Sequence, residues 1–278
     1  RHTRYWRDWS SDVCSSDLSR HWVSAIIVAH DGAIWLPETV ASLSKQRHPI
    51  DQIIAVDTGS EDGSAKLLKS AGINVISAPR DLGFGAAIKM ALESPKIVRA
   101  GDGVTEWIWL IHDDCAPAAN ALSELLAAVD ERPNIAMAGP KLRGWHDRNH
   151  LLEVGVSIAG NGARWTGLEF REQDQGQHDG IREVLSVSTA GALIRREVFD
   201  ELGGFDPELA LFRDDVDFGW RVHTAGHSVI CVPSAIAFHA EAAANERRSI
   251  DVSDNLFHRP LLLDRKSTRL NSSHANIS

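Results

Sequence analysis

Apolar runs alternate with amphipathic stretches over residues 23–140, and this alternation constrains the fold more than any other feature. Five runs have the length and β-branched content of buried strands, at 23–30, 53–57, 73–78, 104–112 and 135–140. Between them, apolar residues recur three and four positions apart, as at Leu122, Leu125, Leu126 and Val129, which is typical of helices. The pattern predicts a mostly parallel sheet with helices on both faces.

The second half of the chain has a different pattern. Short strand-like stretches flank a polar, glycine-rich segment at 169–182, a helix is predicted at 214–226, and two further strands lead to His239. We therefore expect an α/β fold of the Rossmann-like kind, a three-layer α/β/α sandwich. Its first half would comprise residues 19–140, and residues 141–263 would form a second half of mixed α and β structure.

The two ends of the chain do not share these patterns. Residues 7–18 can be back-translated into DNA whose reverse complement encodes residues 264–274, and this DNA resembles a common sequencing adapter. Opposite strands of one duplex should not encode two unrelated ends of a protein. We therefore expect residues 1–18 and 264–278 to be non-native tails, and residues 19–263 to be a fragment that folds as a single domain.

Charge and cysteine content restrict the partners and the compartment. The chain has a formal net charge of −9, and because the two tails carry +2 between them, residues 19–263 carry −11. An acidic domain of this kind argues against a nucleic-acid partner. Outside the tails only Cys115 and Cys231 remain, without a CxxC pair, which fits a reducing compartment such as the cytoplasm.

Polar residues stand at the ends of the predicted strands. Asp57 ends the second strand, and His112, Asp113 and Asp114 end the fourth. Because parallel sheets bind ligands beyond the carboxyl ends of their strands, we expect these side chains to lie close together. Carboxylates there can hold Mg²⁺ or Mn²⁺ together with phosphate oxygens. Alternatively, Asp113 or Asp114 caps a following helix, and Asp57 forms an Asx turn.

Two further groups of candidate residues lie in the second half. Asp214, Asp215 and Asp217 open the predicted helix, where acids stabilise the positive helix end. Three acids in four residues exceed what capping needs, so that one of them can serve as a general base. Asp217 can equally pair with Arg221 one turn later. His239 ends the last strand, either as a metal ligand or as an ordinary histidine.

Taken in order, these segments resemble the family 2 glycosyltransferases with the GT-A fold, including actinobacterial members. The resemblance rests on VSAIIVAHDGAIWLPETVASLSKQ, IIAVDTGSEDGS, WLIHDDCAP and the block from ALIRREVF to SAIAFH, and it extends over about residues 23–240. It implies an inverting enzyme that uses Mn²⁺ or Mg²⁺ and moves a sugar from a nucleotide-sugar donor to a hydroxyl of a glycan or lipid-linked acceptor. Residues 19–140 would bind the donor, and residues 141–263 would form the acceptor side.

The resemblance also implies individual roles. Asp215 matches the catalytic base, and Asp214 replaces the glutamate of the family's Glu-Asp pair. Asp114, His112 and His239 match the metal site, but His112 stands where the family's DxD-type motif has an acid, which leaves the strength and choice of metal open. The implied nucleotide-sugar site comprises Ala29, His30, Asp31, Asp57, Arg80, Asp81 and Asp113.

Two other functions stay open. A sugar nucleotidyltransferase shares the early fold, but VAHDGAIWLP lacks the glycine-rich basic loop that would hold a triphosphate. A non-catalytic domain that binds nucleotide sugars or glycans fits the departure at His112. For an enzyme, we expect a role in cell-wall or surface polysaccharide or glycolipid synthesis. The protein would be located in the cytoplasm. If parts of the parent chain outside this fragment attach it to the membrane, it would lie at the cytoplasmic face.

Overall fold

The central feature of the fold is a ten-stranded, mostly parallel β-sheet. A computed structural model describes residues 21–242 except 131, 161–162 and 210–212, so that both predicted tails lie outside the described residues. The described strands are β1 (His21–Ala29), β2 (Gln52–Asp57), β3 (Asn74–Ser77), β4 (Thr105–His112), β5 (Cys115–Pro117), β6 (Ile135–Gly144), β7 (Leu151–Glu153), β8 (Ser157–Ile158), β9 (Arg164–Trp165), β10 (Arg182–Glu183), β11 (Leu193–Arg195) and β12 (Ser228–His239). The described helices are α1 (Leu36–Ser44), α2 (Ser64–Ser70), α3 (Phe84–Leu92), α4 (Ala121–Asp130), α5 (Arg196–Glu201) and α6 (Asp214–Thr224).

The strand order explains why the sheet is mostly parallel. Across the sheet the order is β10-β12-β6-β11-β4-β1-β2-β3, with β5 beside β12 and β7 beside β6. Strands β1 to β4 are parallel to one another, and β12 is parallel to β6. Strand β11 is antiparallel to both β4 and β6, and β4 and β6 therefore run in the same direction. The predicted sheet is confirmed, with β11 as an antiparallel insertion that the sequence pattern does not reveal.

Helices cover both faces of the sheet, as the periodicity predicts. On one face, Val23, Ala25 and Ile27 of β1 share a buried cluster with side chains of α1, α2 and α4. On the other face, Ile26 of the same strand belongs to a second cluster with α3, α5 and α6. Alternate residues of a strand point to opposite faces, so that each buried strand contributes to both cores. The three-layer α/β/α sandwich is confirmed.

The second half departs from the predicted elements in two places. A strand-like pattern runs through residues 184–195, but only β11 at its end is a strand, and Gly191 adopts a left-handed φ of +98° against Pro140. The two predicted last strands are one strand, β12, whose register beside β6 shifts between Val232 and Ile236. Strands β8 and β9 form a separate two-stranded sheet. In the described part of the chain, no helix is both long and apolar enough to cross a bilayer.

Candidate active site

The register of the parallel strands brings the predicted strand-end residues to one edge of the sheet. Ala29 of β1 pairs with Asp57 of β2, and Val28 pairs with His112 of β4. Asp57 is only 5% exposed, and its Oδ2 accepts the Ser60 N–H at 3.3 Å. Its Oδ1 is buried and has no hydrogen-bond partner among the described residues. A buried carboxylate oxygen without a donor is uncommon, and it identifies a position where a ligand N–H or O–H can bind.

The loop that follows β1 is held by side chains from the loop that follows β2. The Asp31 N–H donates to Ser60 Oγ at 3.0 Å, the Gly32 N–H to Ser64 Oγ at 2.9 Å, and the Ala33 N–H to Asp62 Oδ2 at 2.7 Å. His30 Nδ1 lies 2.8 Å from Thr58 Oγ1. The side chains of Ser60 and Asp62 thus fix the first loop. The contacts place His30 and Asp31 beside Asp57 at the same edge.

Asp31 and Arg80, both predicted at the nucleotide site, form an ion pair across this edge. Arg80 Nη2 lies 2.5 Å from Asp31 Oδ2, and Arg80 Nη1 donates to the Gly59 carbonyl oxygen at 2.8 Å. The hydrogen bond from Arg80 lowers the pKa of Asp31 below its ordinary value. Asp31 has a left-handed φ of 50°, a conformation that Asp tolerates better than most residues. Asp81 is exposed beside this pair, at the start of the segment that leads to α3.

Asp113 is fully buried and joins two loops. Its Oδ2 accepts the His30 N–H at 2.8 Å, and a Cβ at Gly32 would lie 2.2 Å from the same oxygen, so that only glycine fits there. Strand β5 follows directly, and α4 begins only at Ala121. The alternative that Asp113 or Asp114 caps a helix near residue 117 is therefore wrong. The contacts of Asp113 support a role in shaping the loop, and direct contact with a donor stays a prediction.

His112, Asp114 and His239 form a cluster that could hold a metal ion. One possible ligand atom from each lies within 4.8 Å of the others. Asp114 Oδ1 is 3.1 Å from His239 Nε2, and its Oδ2 accepts the Ala242 N–H at 2.8 Å. Burial is the largest single effect and lowers the pKa of His239, but the charge and hydrogen bond of Asp114, together with the charges of Glu241 and Glu153, outweigh it, and the net pKa is raised. Two imidazoles and one carboxylate are ligands that divalent ions of the first transition row bind.

Asp214 and Asp215 are buried at the first turn of α6. Burial, and then the negative charge of Asp215, raise the pKa of Asp214 to about 7. Asp215 Oδ1 accepts the Val216 N–H at 2.8 Å, and its Oδ2 lies 3.0 Å from Arg164 Nη2. Asp217 is different, because its Oδ2 pairs with Arg221 at 2.8 Å. The contacts of Asp217 thus match the helical ion pair that the sequence also allows.

Several residues of this site are not evident from the sequence. Arg164 and Glu153 contact each other beside Asp215, and Thr189 Oγ1 lies 2.9 Å from His112 Nε2. Arg164 lies in a stretch without periodicity, and the strand-like pattern around Thr189 does not mark Thr189 as a site residue. Glu153 offers one signal, because it is an acid within the apolar stretch LLEVGV. Burial raises its pKa, as expected for a carboxyl group enclosed by apolar strands.

Solved structures with the same fold are glycosyltransferases. The chain is similar to the structure of GalNAc-T7 with UDP, GalNAc and Mn²⁺, with a TM-score of 0.59 and 17% sequence identity. The match covers 78% of this chain and 43% of the GalNAc-T7 chain. It is also similar to the mannosyltransferase PcManGT from Pyrobaculum calidifontis in complex with GDP-Man and Mn²⁺, with a TM-score of 0.55 at 15% identity over 92% of this chain and 76% of that one. The fold is therefore that of the GT-A glycosyltransferases.

The sequence comparisons identify the family. The model described as "Glycosyltransferase like family 2" matches residues 20–259, and the chain belongs to this family. A relative is the N-acetylglucosaminyl-diphospho-decaprenol L-rhamnosyltransferase of Mycobacterium tuberculosis (strain CDC 1551 / Oshkosh), which is 25% identical over 240 residues, 80% of this chain and 77% of that protein. The resemblance inferred from the quoted motifs is confirmed.

Proposed function

We propose that this chain transfers a sugar from a nucleotide-diphosphate-sugar to a hydroxyl of a glycan or lipid-linked acceptor, with inversion, in the synthesis of a cell wall or surface polysaccharide. Membership of the glycosyltransferase family supports the class of reaction. The name of the mycobacterial relative describes an acceptor that is a sugar on a diphospho-lipid, which supports an acceptor of that chemistry. Two free, buried thiols, Cys115 and Cys231, support a reducing location such as the cytoplasm.

The observation that carries the proposal is the convergence of candidate ligands at one sheet edge. His112 and Asp57 end strands β4 and β2, which lie on either side of β1 and are parallel to it, and Asp114 and His239 form a three-residue cluster with His112. The unpartnered Oδ1 of Asp57 suits a base N–H or a ribose hydroxyl. A nucleoside diphosphate has both groups that such an edge would recognise, a polar base-ribose unit and an anionic diphosphate.

We favour Mn²⁺ over Mg²⁺ for the cluster. Mg²⁺ prefers oxygen ligands in octahedral geometry, whereas two of the three candidate ligands here are imidazoles. A bound divalent cation would neutralise the diphosphate and stabilise it as the leaving group. Because Mn²⁺ accepts imidazole ligands, we infer that His112 serves as a metal ligand in place of the acid of the DxD-type motif.

Asp215 is the proposed general base. A sugar hydroxyl is a poor nucleophile, and a carboxylate that takes its proton during attack makes the displacement possible. A single displacement from the face opposite to the leaving diphosphate requires one base and inverts the anomeric carbon. We choose Asp215 over the neighbouring Asp214 because Asp215 is the position that matches the catalytic base in the resemblance to the family.

The test is nucleotide release and sugar transfer by the full chain. A panel of UDP-, dTDP- and GDP-sugars is supplied with Mn²⁺, with and without an N-acetylglucosaminyl-diphospho-lipid as acceptor. We expect turnover with at least one donor, loss of turnover on chelation, and a fall in kcat of about 10²- to 10⁴-fold in Asp215→Asn. Asp200→Asn is the matched control, because Asp200 also pairs with an arginine but lies on α5.

A different result would favour the non-catalytic alternative. Mn²⁺-dependent binding of UDP, dTDP or GDP without turnover, under any acceptor, would indicate a domain that only binds nucleotide sugars. Equal activity of Asp215→Asn and Asp200→Asn would remove Asp215 from the reaction. Analysis of the product's anomeric configuration by NMR tests inversion directly.

A further inference from the structure

The guanidinium of Arg164 joins two buried carboxylates from different parts of the chain. Arg164 Nε donates to Asp215 Oδ2 at 3.1 Å, Arg164 Nη2 lies 3.0 Å from the same oxygen, and Nη2 also contacts Glu153 Oε2. The two carboxylate side chains are only 8% and 6% exposed, whereas Arg164 is 33% exposed. Arg164 belongs to β9, outside the ten-stranded sheet, so that this contact links the β8–β9 hairpin to α6 and β7.

Both oxygens of Asp215 are oriented by these contacts. The Val216 N–H binds Oδ1 at 2.8 Å, and Arg164 binds Oδ2. A carboxylate has about four lone-pair positions, so that two donors fix its plane and still leave room for a hydroxyl. A general base works only when it lies within hydrogen-bond reach of the proton that it removes. The donor that fixes Oδ2 therefore controls where the proposed base points.

Glu153 holds Arg164 in place and continues the contacts towards the metal cluster. Glu153 Oε1 accepts the Ser188 N–H at 2.7 Å. The next residue, Thr189, contacts His112 at 2.9 Å, and Ser186 Oγ donates to the Asp215 carbonyl oxygen at 2.6 Å. Residues 186–189 thus contact the candidate metal cluster at one end and the surroundings of Asp215 at the other. The contact series runs from His112 through Thr189, Ser188, Glu153 and Arg164 to Asp215.

We propose that Arg164, held by Glu153, is a positioning residue for the base Asp215 and aligns it with the metal cluster. The inference rests on the proposed function, in which Asp215 is the base. Charge balance supports the pairing of one guanidinium with two acids. When Asp215 takes the proton of the acceptor hydroxyl it becomes neutral, and Arg164 then keeps Glu153 as its counter-ion, so that no buried charge is left unpaired during the reaction.

The experiment compares Arg164→Met, Arg164→Lys and Glu153→Gln with Arg196→Met in the full chain. Arg196 is the matched control, because its side chain is 10% exposed and pairs with Asp200 on α5. For each protein, kcat and donor KM are measured with Mn²⁺ and the donor that the wild type uses. Affinity for the corresponding nucleoside diphosphate is measured by calorimetry, and stability by thermal unfolding.

A positioning role has a defined signature. We expect Arg164→Met to lower kcat by about 10- to 100-fold while donor KM and nucleotide affinity change less than about threefold. Arg164→Lys should retain an intermediate kcat, because an ammonium keeps the charge but not the planar guanidinium geometry. Millimolar methylguanidinium should partly restore kcat of Arg164→Ala, whose short side chain leaves room for the guanidinium, and leave kcat of Arg196→Ala unchanged. Glu153→Gln should lower kcat in the same direction by a smaller factor.

Two results would overturn the inference. One is a kcat of Arg164→Met within threefold of that of Arg196→Met. The other is a loss of kcat that follows thermal instability or nucleotide affinity and is not rescued by methylguanidinium, which is what a purely structural clamp predicts. If Arg164→Met does not fold, Arg164→Lys decides by the same measurements. Absence of turnover in the wild type with every donor is distinguishable, because it would overturn the proposed function itself.

Discussion

Two regions of the molecule, each of which contributes to the candidate site, are held together by different interactions. In the strand-end region, formed by the ends of β1, β2 and β4 and the loops that follow them, strand register and short hydrogen bonds fix the side chains. In the ionic region, formed by the described residues of 141–189 and the start of α6, buried charges join segments far apart in the chain. Lys141 pairs with Asp174 and Asp179 there, and Arg164 pairs with Glu153 and Asp215.

The difference has a physical consequence. Strand register is repeated along many backbone hydrogen bonds, and the loss of one side chain does not move it. A buried ion pair depends on each of its members, because removal of one partner leaves the other charge without compensation. Apart from Gly32, where no Cβ fits, the strand-end region should therefore tolerate single substitutions better than the ionic region does.

The largest structural effect is expected for Lys141→Met. The Lys141 side chain is 2% exposed, and its Nζ lies 3.0 Å from Asp174 and 2.5 Å from Asp179. Its removal leaves Asp174 buried with Arg143 as its remaining cation, and we expect a loss of about 3 kcal/mol in the free energy of unfolding. Hydrogen exchange should rise in residues 169–182 and stay unchanged in β1, β2 and β4. Urea unfolding and exchange measurements test both parts.

The control for this comparison is Lys89→Met. Lys89 pairs with Glu93 on α3, but the two side chains are 71% and 66% exposed. Solvent screens such a pair, and its loss should change stability by less than about 0.5 kcal/mol. If both lysine variants were equally stable, burial would not distinguish the ionic region from an ordinary surface.

The difference between the strand-end region and the ionic region also explains which elements and site residues could be predicted from the sequence. Hydrophobic periodicity and the rule that ligands bind at strand ends predict strands β1 to β4 and β6, most helices, and Asp57, His112 and Asp114, since both are local properties. His239 follows from its place at the end of the last strand. Arg164, Glu153 and Thr189 could not be assigned, because their meaning depends on contacts between segments that the chain separates by up to 77 residues. Charge alone does not reveal which acid an arginine will meet.

Asp214 provides a pH-dependent test of the ionic region. Its folded-state pKa of about 7 lies above the ordinary value of 3.8, so that the folded protein retains a proton that the unfolded chain releases. The stability that this proton contributes is fully present below about pH 4 and is lost as the pH rises through about 7. Asp214→Asn removes this dependence, and we expect it to be the more stable protein at pH 8 by on the order of 2 kcal/mol.

The measurement is urea unfolding of wild type and Asp214→Asn between pH 4 and 8. The difference between the two proteins isolates Asp214 from other acids, including Glu153, whose raised pKa acts in the same direction, and Asp31, whose lowered pKa opposes it. A constant difference across this range would mean that Asp214 is charged in the folded protein throughout.

His112→Asp sharpens the comparison at the strand-end region. An aspartate at this position replaces an imidazole by an oxygen ligand, which Mg²⁺ accepts more readily. We expect the ratio of apparent Mn²⁺ to Mg²⁺ affinity to fall about tenfold, with little change in stability because the strand register is unaltered. Metal titration of nucleotide binding measures the ratio. Thr189→Val is the control, because it removes the contact with His112 and leaves the imidazole in place.

The smallest effect, and the one that separates two open interpretations, is expected for Asp57→Asn. If Oδ1 of Asp57 binds a donor N–H or O–H, replacement of the carboxylate by an amide weakens a charge-assisted hydrogen bond and lowers nucleotide affinity about fivefold. Stability should stay the same or rise, because a buried charge without a partner on that oxygen disappears. If Asp57 instead serves only as an Asx turn through its 3.3 Å contact with the Ser60 N–H, Asp57→Asn keeps an oxygen for that contact and leaves affinity and stability unchanged, whereas Asp57→Ala lowers stability at unchanged affinity. Calorimetry with UDP and dTDP in the presence of Mn²⁺, together with thermal unfolding of the same samples, distinguishes the two. The first outcome would extend the contrast, because a residue of the strand-end region would then affect binding without supporting the fold.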